Sequence, residues 1–341
     1  MEAVDQWRPI FVGTRPRTTR TPPPIMNEGV TIIIPCRNGA AWLSQAIRSA
    51  QDCAGAVAVV VVDDGSTDES RTIAASFAPQ VMLLALAARG GNAARNEGLR
   101  VATTPWVQFL DADDYLTPRK LAVQFTEAGR MPGPADILYS PVYEETWQNG
   151  SAQDRRVSAL DPDTDIFTQW ITWQLPQTGG ALWRRETLLA LGGWNESQPC
   201  CQEHELYLRA LQAGLRFRHC PSPGAVYRIW SEDTVCRKDP VLVIRERTRL
   251  IDACIAGLKA SGGLGPHHLE AAGQACFEMA RTWARHDPRE ANRYARARGS
   301  RGLFLMRGPA APASYRFVST LAGFRAAEWV ARATRPARPD E

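Results

Sequence analysis

Four apolar runs separated by helical stretches lie early in the chain, and they constrain its fold most strongly. The first is VTIII at 30–34, ended by Pro35, and the second is VAVVVV at 57–62. Further runs follow at 81–86 and 106–110. Strands that are apolar on both faces lie between layers of helices. The alternation therefore predicts an α/β fold with a mostly parallel central sheet.

Two of the four predicted strands end in clusters of aspartate. DDGS at 63–66 follows the second strand, and DADD at 111–114 follows the fourth. Ligands of parallel sheets bind at the carboxyl ends of the strands, where carboxylates can accept from a base or ribose and hold a divalent cation. Each cluster alone also fits a plain turn. After DDGS, Ser66, Thr67 or Asp68 would cap the next helix, and in DADD, Asp113 or Asp114 would start a turn in a polar loop.

The succession of strand, DDGS, helix, strand, DADD and helix is more specific than either cluster. With the segments around it, it resembles the family 2 glycosyltransferases, which have the GT-A fold. The similar segments lie in order at 30–38, 59–70, 90–99, 106–118, 178–196 and 202–214. The resemblance implies an inverting transfer of a sugar from a nucleotide-sugar donor to an acceptor hydroxyl. It favours UDP as the nucleotide, with dTDP and GDP as alternatives.

The resemblance also implies which residues bind the donor nucleotide. Pro35, Arg37 and Asn38 lie in the segment that lines the nucleotide pocket in this family. Asp64, the second aspartate of DDGS, corresponds to the residue that contacts the base. Arg95 lies in the segment that flanks the diphosphate and is the candidate cation there. The alternative is that Arg95 is an ordinary surface residue on a helix.

The DADD cluster supplies the residues implied for the nucleotide and metal. Asp111 corresponds to the residue near the ribose and the metal, and Asp113 to the metal ligand. The expected cofactor is Mg²⁺ or Mn²⁺, which neutralises the charge of a leaving diphosphate. Many relatives have a histidine after a Tyr-Arg pair near the end of the domain, but here Trp230 follows the residues YRI. A third protein ligand is therefore not implied, and Trp230 fits either a sugar-stacking residue or a core tryptophan.

Glu203 is the candidate catalytic base. An inverting transfer needs a carboxylate that takes the proton of the acceptor hydroxyl. Aligning the helix at 202–214 with the family puts Glu203 where the family has an aspartate base. Helical spacing pairs Glu205 with Arg209 at the surface and leaves Glu203 free beside Tyr207. Two alternatives stay open: Glu203 is a first-turn carboxylate that complements the helix dipole, or Glu205 is the base.

Composition and charge exclude several classes of function. A net charge of +4 is too small for the signature of a nucleic-acid-binding protein. The eight cysteines contain no C-x-x-C pair, so we expect reduced thiols rather than a metal site built on sulfur. His204 is expected to be packed and hydrogen-bonded rather than a metal ligand. The chain lacks an apolar leader and a membrane-length run, which predicts a cytoplasmic protein, with peripheral membrane contact as an alternative.

Three regions are predicted along the chain. An extended leader arm rich in proline and arginine covers 1–28, a GT-A glycosyltransferase domain covers 29–240, and a helical region covers 241–341. Within the last region, the segments at 241–258 and 269–294 are predicted to be helices.

A basic amphipathic helix is predicted near the end of the chain. Its apolar face consists of Phe317, Leu321, Phe324, Ala327 and Ala331, with arginines on both sides of this face. Such a helix either rests on anionic lipid or packs against the catalytic domain or a partner subunit. Contact with lipid would suit a lipid-linked acceptor.

Two other classes of function compete with an active transferase. A sugar nucleotidyltransferase would carry a glycine-rich phosphate loop with lysine or arginine after the first strand, and PCRNG at 35–39 is a poor match. A non-catalytic protein that binds nucleotide sugars or acts as a scaffold stays open, because QEHE at 202–205 departs from the family's usual Glu-Asp. The acceptor is open between a glycan, a lipid-linked glycan and a protein, in cell-surface glycan or glycoconjugate assembly. The missing Q-x-x-R-W motif favours a single addition.

Overall fold

The computed structural model describes residues 29–148, 150–230 and 238–334, and its centre is a seven-stranded sheet. The predicted leader arm at 1–28 lies outside these ranges. The strands are, in chain order, β1 (Val30–Cys36), β2 (Ala56–Asp64), β3 (Val81–Leu86), β4 (Trp106–Phe109), β5 (Tyr115–Leu116), β6 (Ile137–Tyr139), β7 (Tyr143–Gln148), β8 (Ser151–Val157), β9 (Ala181–Arg184), β10 (Phe217–His219) and β11 (Ala225–Ile229).

The central sheet has the strand order β10-β6-β9-β4-β1-β2-β3. β1 pairs in parallel with β2 and β4, β2 with β3, and β10 with β6, while β9 is antiparallel to both of its neighbours. Side chains of β1 alternate between two cores: Ile33 joins one, and Ile32 and Ile34 join the other. The sheet is therefore covered on both faces. This confirms the predicted α/β fold with a mostly parallel central sheet.

A second, four-stranded sheet in the order β5-β11-β7-β8 is not predicted from the sequence. β7 pairs in parallel with β11 and antiparallel with β8. Every residue of β8 is exposed, and β7, with the sequence YEETWQ, carries mainly polar side chains. Because these strands bury little apolar surface, they lack the pattern on which strand prediction depends. β5 directly follows DADD, so this sheet begins beside the acidic edge of the central one.

Helices cover the central sheet and make up the described chain after 240. They are α1 (Ala40–Gln51), α2 (Ser70–Ala75), α3 (Gly91–Val101), α4 (Lys120–Gly129), α5 (Ile166–Ile171), α6 (Arg185–Ala190), α7 (Gln202–Gln212), α8 (Pro240–Ala260), α9 (Pro266–His286), α10 (Pro288–Gly299) and α11 (Ala313–Ala333). None of these helices has both the length and the apolar character needed to cross a membrane. Six cysteines within the described ranges are free thiols: Cys36, Cys53, Cys200, Cys220, Cys254 and Cys276.

The helices after 240 share a core with the central sheet. Ile251 of α8 and Cys276 of α9 belong to the same cluster of buried side chains as Ile33 of β1. The last described strand before this region ends at Ile229. The domain boundary near 240 stays a prediction.

The predicted single helix at 269–294 is wrong, because the structure has two helices there. Asp287 ends α9, and its Oδ1 accepts from the backbone N–H groups of Arg289 and Glu290, so that it caps the start of α10. Pro288 follows, and proline cannot supply the N–H group that would continue α9.

The predicted single apolar face of α11 is also wrong. Phe324 and Ala327 are buried, but Phe317 and Leu321 are exposed. The helix is interrupted at Gly323, whose φ of 83° is not helical. Because this break changes the helical register, spacing counted across it does not put residues on one face.

Candidate active site

The carboxyl ends of β1, β2 and β4 form one edge of the central sheet, and both aspartate clusters lie on it. β1 stands between the two clusters. Its Cys36 is paired with Asp63 at the end of β2, and the N–H of Leu110, just before DADD, donates to the carbonyl of Ile33 over 3.0 Å. Because the three strands are parallel, DDGS and DADD are brought to the same edge of the sheet.

The loop after β1 connects the two clusters. Asn38 has a φ of 53°, its backbone N–H donates to Oγ of Ser66 over 3.0 Å, and its side-chain oxygen accepts from the N–H of Thr67 over 2.8 Å. On the other side of the loop, Gly39 lies close to DADD: a Cβ added at Gly39 would lie 3.2 Å from the Cβ of Ala112. The loop is therefore in contact with both acidic turns.

The residues predicted to line a nucleotide pocket differ in exposure. Pro35 is half-buried near the end of β1, whereas Arg37 and Asn38 are exposed in the loop that follows. Arg37 therefore presents a cation to solvent at the carboxyl edge of the sheet.

Asp64 is buried, and both of its carboxylate oxygens hold backbone. Oδ1 accepts from the N–H of Arg89 over 2.6 Å, and Oδ2 accepts from the N–H of Gly90 over 2.7 Å. These residues belong to the loop between β3 and α3. Asp64 thus anchors the loop that leads into α3, a contact that sequence reasoning did not foresee, and its role as a base contact stays a prediction.

Arg95 of α3 is a buried cation that joins separate segments of the chain. Its Nη2 donates to Oδ1 of Asp111 over 2.7 Å. Its Nη1 donates to the side-chain oxygens of Gln202 and Asn92, each over 3.2 Å. The guanidinium also lies 4.6 Å from the ring centroid of Trp194. Arg95 is therefore not the exposed helix residue that the alternative interpretation required.

The charge of Arg95 reaches three of the predicted functional carboxylates. Burial opposes the charged form of the guanidinium, but the carboxylates of Asp111, Glu203 and Asp113 outweigh burial and raise the pKa of Arg95. These acids come from two distant parts of the sequence. The structure therefore gathers four predicted site residues into one electrostatic cluster.

Glu203 stands in the first turn of α7, one residue after the Gln202 that contacts Arg95. Its Oε1 accepts a hydrogen bond from the hydroxyl of Thr178, and its side chain is half-buried. Sequence reasoning missed Gln202 and Thr178 as members of the site. Both lie within segments that carry the family resemblance, but only packing shows which residues they contact.

Glu205 is not in a surface pair, so that expectation is wrong. Its side chain is buried and forms an ion pair with Arg209, with Nε to Oε1 at 2.8 Å. Arg209 also donates to the carbonyls of Leu191 and Gly193. The pair therefore ties α7 to the loop after α6. Helical spacing predicted the two partners correctly, but it could not predict their burial.

His204 is packed as expected. Its ring stacks on Trp173 with the centroids 3.2 Å apart. Burial is the largest cause that lowers its pKa well below the usual value, so the ring is neutral. Its Nε2 is buried without a hydrogen-bond partner, however, so the expected hydrogen bond is not found at that nitrogen.

Trp230 lies at the surface beside Asp113, with 46% of its surface exposed. Its Nε1 donates to Oδ2 of Asp113 over 2.9 Å. Its ring lies 5.7 Å from that of Trp42. The guanidinium of Arg228 lies 4.6 Å from the ring centroids of both Trp42 and Tyr115. Trp230 is therefore an exposed aromatic residue at the acidic edge and not a core tryptophan.

The DADD carboxylates supply oxygen atoms of the kind that bind divalent cations. Arg95 balances Asp111, while Asp114 is buried and accepts from the backbone N–H of Arg228 over 2.8 Å. Burial and the nearby Asp111 raise the pKa of Asp113, and burial and the nearby Asp113 raise the pKa of Asp114. Negative charge is therefore in excess here, and carboxylate oxygens are the ligands that Mg²⁺ and Mn²⁺ prefer.

A second group of potential metal ligands, Asp165, His267 and His268, does not suit a cation. Nδ1 of His268 accepts from the backbone N–H of Gly265 over 3.0 Å. The ring proton must then be on Nε2, which lies 2.8 Å from Oδ2 of Asp165 and donates to it. No lone pair of His268 is left for a metal, so this group ties α5 to α9.

Comparison with known proteins finds similarity to glycosyltransferases. Residues 31–188 match the model described as glycosyl transferase family 2. The chain is 28% identical over 211 residues to the succinoglycan biosynthesis protein ExoU of Rhizobium meliloti. The aligned region covers 57% of this chain and 60% of that protein. The chain spans about half the length of the curated relatives it matches.

Solved structures share the fold over nearly the whole chain. S. aureus TarS 1-349 in complex with UDP-GlcNAc matches with a TM-score of 0.62 and 15% identity, over 91% of this chain and 93% of that one. The mannosyltransferase PcManGT from Pyrobaculum calidifontis, in complex with GDP-Man and Mn²⁺, matches with a TM-score of 0.53 and 19% identity, over 92% and 88%. These matches confirm the predicted GT-A fold with its helical C-terminal region.

Proposed function

Because residues 31–188 match the model described as glycosyl transferase family 2, we propose that the chain transfers a sugar from a nucleotide-sugar donor to an acceptor hydroxyl. The arrangement around Arg95 carries the proposal. Its guanidinium holds Asp111 of DADD on one side and Gln202, the neighbour of Glu203, on the other. A donor-side carboxylate and a candidate base thus flank one buried cation, as an enzyme that joins donor and acceptor requires.

The donor nucleotide is proposed to lie along the carboxyl edge between DDGS and DADD. Pro35, Arg37 and Asn38 would line its pocket, and Arg37 is exposed there. Asp64 would contact the base through lone pairs that remain on its oxygens, because each carboxylate oxygen can accept more than one hydrogen bond. UDP is the proposed nucleotide, supported by the UDP-GlcNAc complex of TarS, and the GDP-Man complex of PcManGT makes GDP the alternative.

Asp113, together with Asp111, is proposed to hold Mg²⁺ or Mn²⁺. Such an ion supplies charge neutralisation for the leaving diphosphate. The Mn²⁺ in the PcManGT complex and the excess of negative charge at DADD support this assignment. The protein's own part is to aim the carboxylates: Trp230 holds one oxygen of Asp113, and Arg95 holds one oxygen of Asp111.

Glu203 is proposed to be the catalytic base of an inverting reaction. Thr178 fixes one oxygen of its carboxylate, and the other can accept the proton of the acceptor hydroxyl. The acceptor oxygen then forms a bond to the anomeric carbon while the bond from that carbon to the diphosphate breaks. The electron pair leaves with the nucleoside diphosphate. Glu205 is a weaker candidate, because its carboxylate is buried in the pair with Arg209.

The acceptor is proposed to be a glycan or a lipid-linked glycan in the assembly of a cell-surface polysaccharide or glycoconjugate. The similarity to a succinoglycan biosynthesis protein supports this class over a protein acceptor.

Thermal unfolding with nucleoside diphosphates tests the donor site. We expect UDP with Mn²⁺ to raise the melting temperature more than either alone, because the proposed site holds the nucleotide and the metal together. A ligand at about 100 times its Kd stabilises the folded state by about 2.7 kcal/mol. Asp113→Asn should abolish the Mn²⁺-dependent part, and also transfer from a UDP-sugar. Asp154→Asn is the matched control, because Asp154 is exposed on β8 and away from DADD.

Two results would contradict the proposal. One is that UDP, dTDP and GDP all leave the melting temperature unchanged with and without Mn²⁺. The other is release of pyrophosphate from a nucleoside triphosphate, which would assign the chain to the sugar nucleotidyltransferases.

A further inference from the structure

α11 exposes large apolar side chains in both of its segments, before and after the interruption at Gly323. Phe317, Leu321 and Trp329 expose 66%, 71% and 72% of their surface. Phe317 and Leu321 are four residues apart in the segment before Gly323, so they lie on one face of that segment. Trp329 belongs to the segment after Gly323. Exposed apolar side chains of this size in both segments of one helix indicate an interaction surface.

Other side chains of α11 are packed against the body of the protein. Tyr315, before the break, lies edge-on to Phe277 of α9 with the centroids 5.6 Å apart. Glu328, after the break, pairs with Arg281 of α9 over 2.7 Å and accepts from the hydroxyl of Tyr315 over 2.8 Å. Both segments of α11 are therefore fixed to α9.

The exposed surface of α11 is also basic. Arg316, Arg325 and Arg332 are exposed. The single acidic residue of α11 is Glu328, which is buried and paired with Arg281. Cations therefore stand beside the exposed apolar side chains with no exposed acid on the helix to balance them.

We propose that the exposed surface of α11 binds the surface of a membrane that contains anionic lipid. The apolar side chains would enter the boundary between head groups and acyl chains, where tryptophan is favoured, and the arginines would contact lipid phosphates. A second copy of the chain is a poorer occupant. An interface between two identical faces would bring three arginines of one copy against three of the other without acids between them.

Membrane binding goes beyond the proposed sugar transfer and does not depend on it. The surface lies on a different element from the acidic edge of the central sheet, and binding requires neither donor nor metal. A protein held at a membrane in this way would meet acceptors that are anchored in lipid. The experiment therefore measures binding to vesicles without any sugar donor.

Co-sedimentation of the full chain with vesicles tests the proposal. We expect binding to vesicles of phosphatidylcholine mixed with phosphatidylglycerol, weak binding to phosphatidylcholine alone, and a loss of binding at high salt. Each arginine near the surface contributes about fivefold in affinity, so joint replacement of Arg316, Arg325 and Arg332 by glutamine should cost about a hundredfold. The joint change Phe317→Ser, Leu321→Ser and Trp329→Ser should abolish binding.

Matched controls come from other exposed surfaces. Val57→Ser, Met82→Ser and Leu189→Ser together remove three exposed apolar side chains away from α11 and should leave binding unchanged. Replacement of three other exposed arginines by glutamine is the control for charge: Arg48, Arg119 and Arg130. Since every changed side chain is exposed, all variants should fold, which a melting curve verifies.

Three results would overturn the proposal. The first is absence of binding to either kind of vesicle. The second is binding that both sets of α11 changes leave intact, or that is equal for neutral and anionic vesicles. The third is a concentration-dependent dimer that the triple serine variant dissociates, which would show that a second copy covers this surface.

Discussion

The indole N–H of Trp230 donates a hydrogen bond to the carboxylate of Asp113 over 2.9 Å. An indole nitrogen has a hydrogen to donate but no lone pair to offer a metal. Trp230 can therefore orient Asp113, but it cannot ligate an ion that Asp113 holds. Arg228 supports the same turn, because its Nη1 donates to the backbone carbonyl of Asp113 over 2.6 Å.

Replacing Trp230 by phenylalanine should weaken the binding of Mn²⁺. The ring would still pack beside Trp42, but the carboxylate of Asp113 would lose the donor that fixes its orientation. Loss of such a supporting hydrogen bond typically costs about tenfold in metal affinity. Calorimetric titration with Mn²⁺ in the presence of UDP measures the change. Trp329→Phe, on the exposed surface of α11, is the matched control, and an unchanged affinity in Trp230→Phe would show that the indole does not position Asp113.

Replacing Glu203 by glutamine should abolish transfer and preserve donor binding. An amide cannot take the proton of the acceptor hydroxyl, and general-base catalysis contributes about 10² to 10⁴ in rate. The rate of sugar transfer and the UDP-induced rise in melting temperature are measured on the same preparation. Glu186→Gln is the control for the loss of a carboxylate that complements a helix dipole, because Glu186 is an exposed first-turn carboxylate of α6.

Full transfer by Glu203→Gln would remove Glu203 from the base role and leave Glu205 as the alternative. Glu205→Gln tests that alternative. Its expected effect is on folding, because it breaks the buried pair with Arg209 and lowers the free energy of unfolding by about 2 kcal/mol.

Replacing Arg95 by lysine should reduce transfer even though the charge is kept. A lysine ammonium is a point charge and cannot reproduce the planar fork that contacts Asp111 and Gln202 together. We expect kcat for sugar transfer from the donor to fall about tenfold or more. Arg100→Lys is the control, because Arg100 is exposed on the same helix and pairs with Glu97. Equal kcat values in the two variants would mean that the fork is not needed.

Replacing Asp64 by asparagine should destabilise the fold. Both carboxylate oxygens of Asp64 accept from backbone N–H groups, so the amide nitrogen of asparagine would face the N–H of either Arg89 or Gly90. A buried donor left without an acceptor costs about 1–3 kcal/mol. Urea unfolding measures the loss. Asp161→Asn is the control, because Asp161 accepts from the N–H of Asp163 in an exposed loop, where water can replace the bond.

The sequence alone was sufficient to predict the features that depend on local pattern. The apolar run at 30–34 and the last four residues of the run at 57–62 are buried on both faces, which requires a sheet between helices. DDGS and DADD each follow a strand that runs parallel to β1. Because parallel strands end on the same side of the sheet, the two clusters lie at one edge. Interruptions in a helix were harder to predict: the change of direction at Gly323 and the break at Asp287 were both missed.

Tertiary structure alone decided which polar side chains from distant segments contact each other. Arg95 contacts Asp111, sixteen residues away, and Gln202, more than a hundred residues away, while Asp64 holds the loop at Arg89 and Gly90. Periodicity specifies the face of an element on which a side chain lies, but not the segment that packs against that face. The burial of Arg95 and the engagement of Asp64 follow from the way distant segments close over the sheet, and such contacts leave no local pattern in the chain.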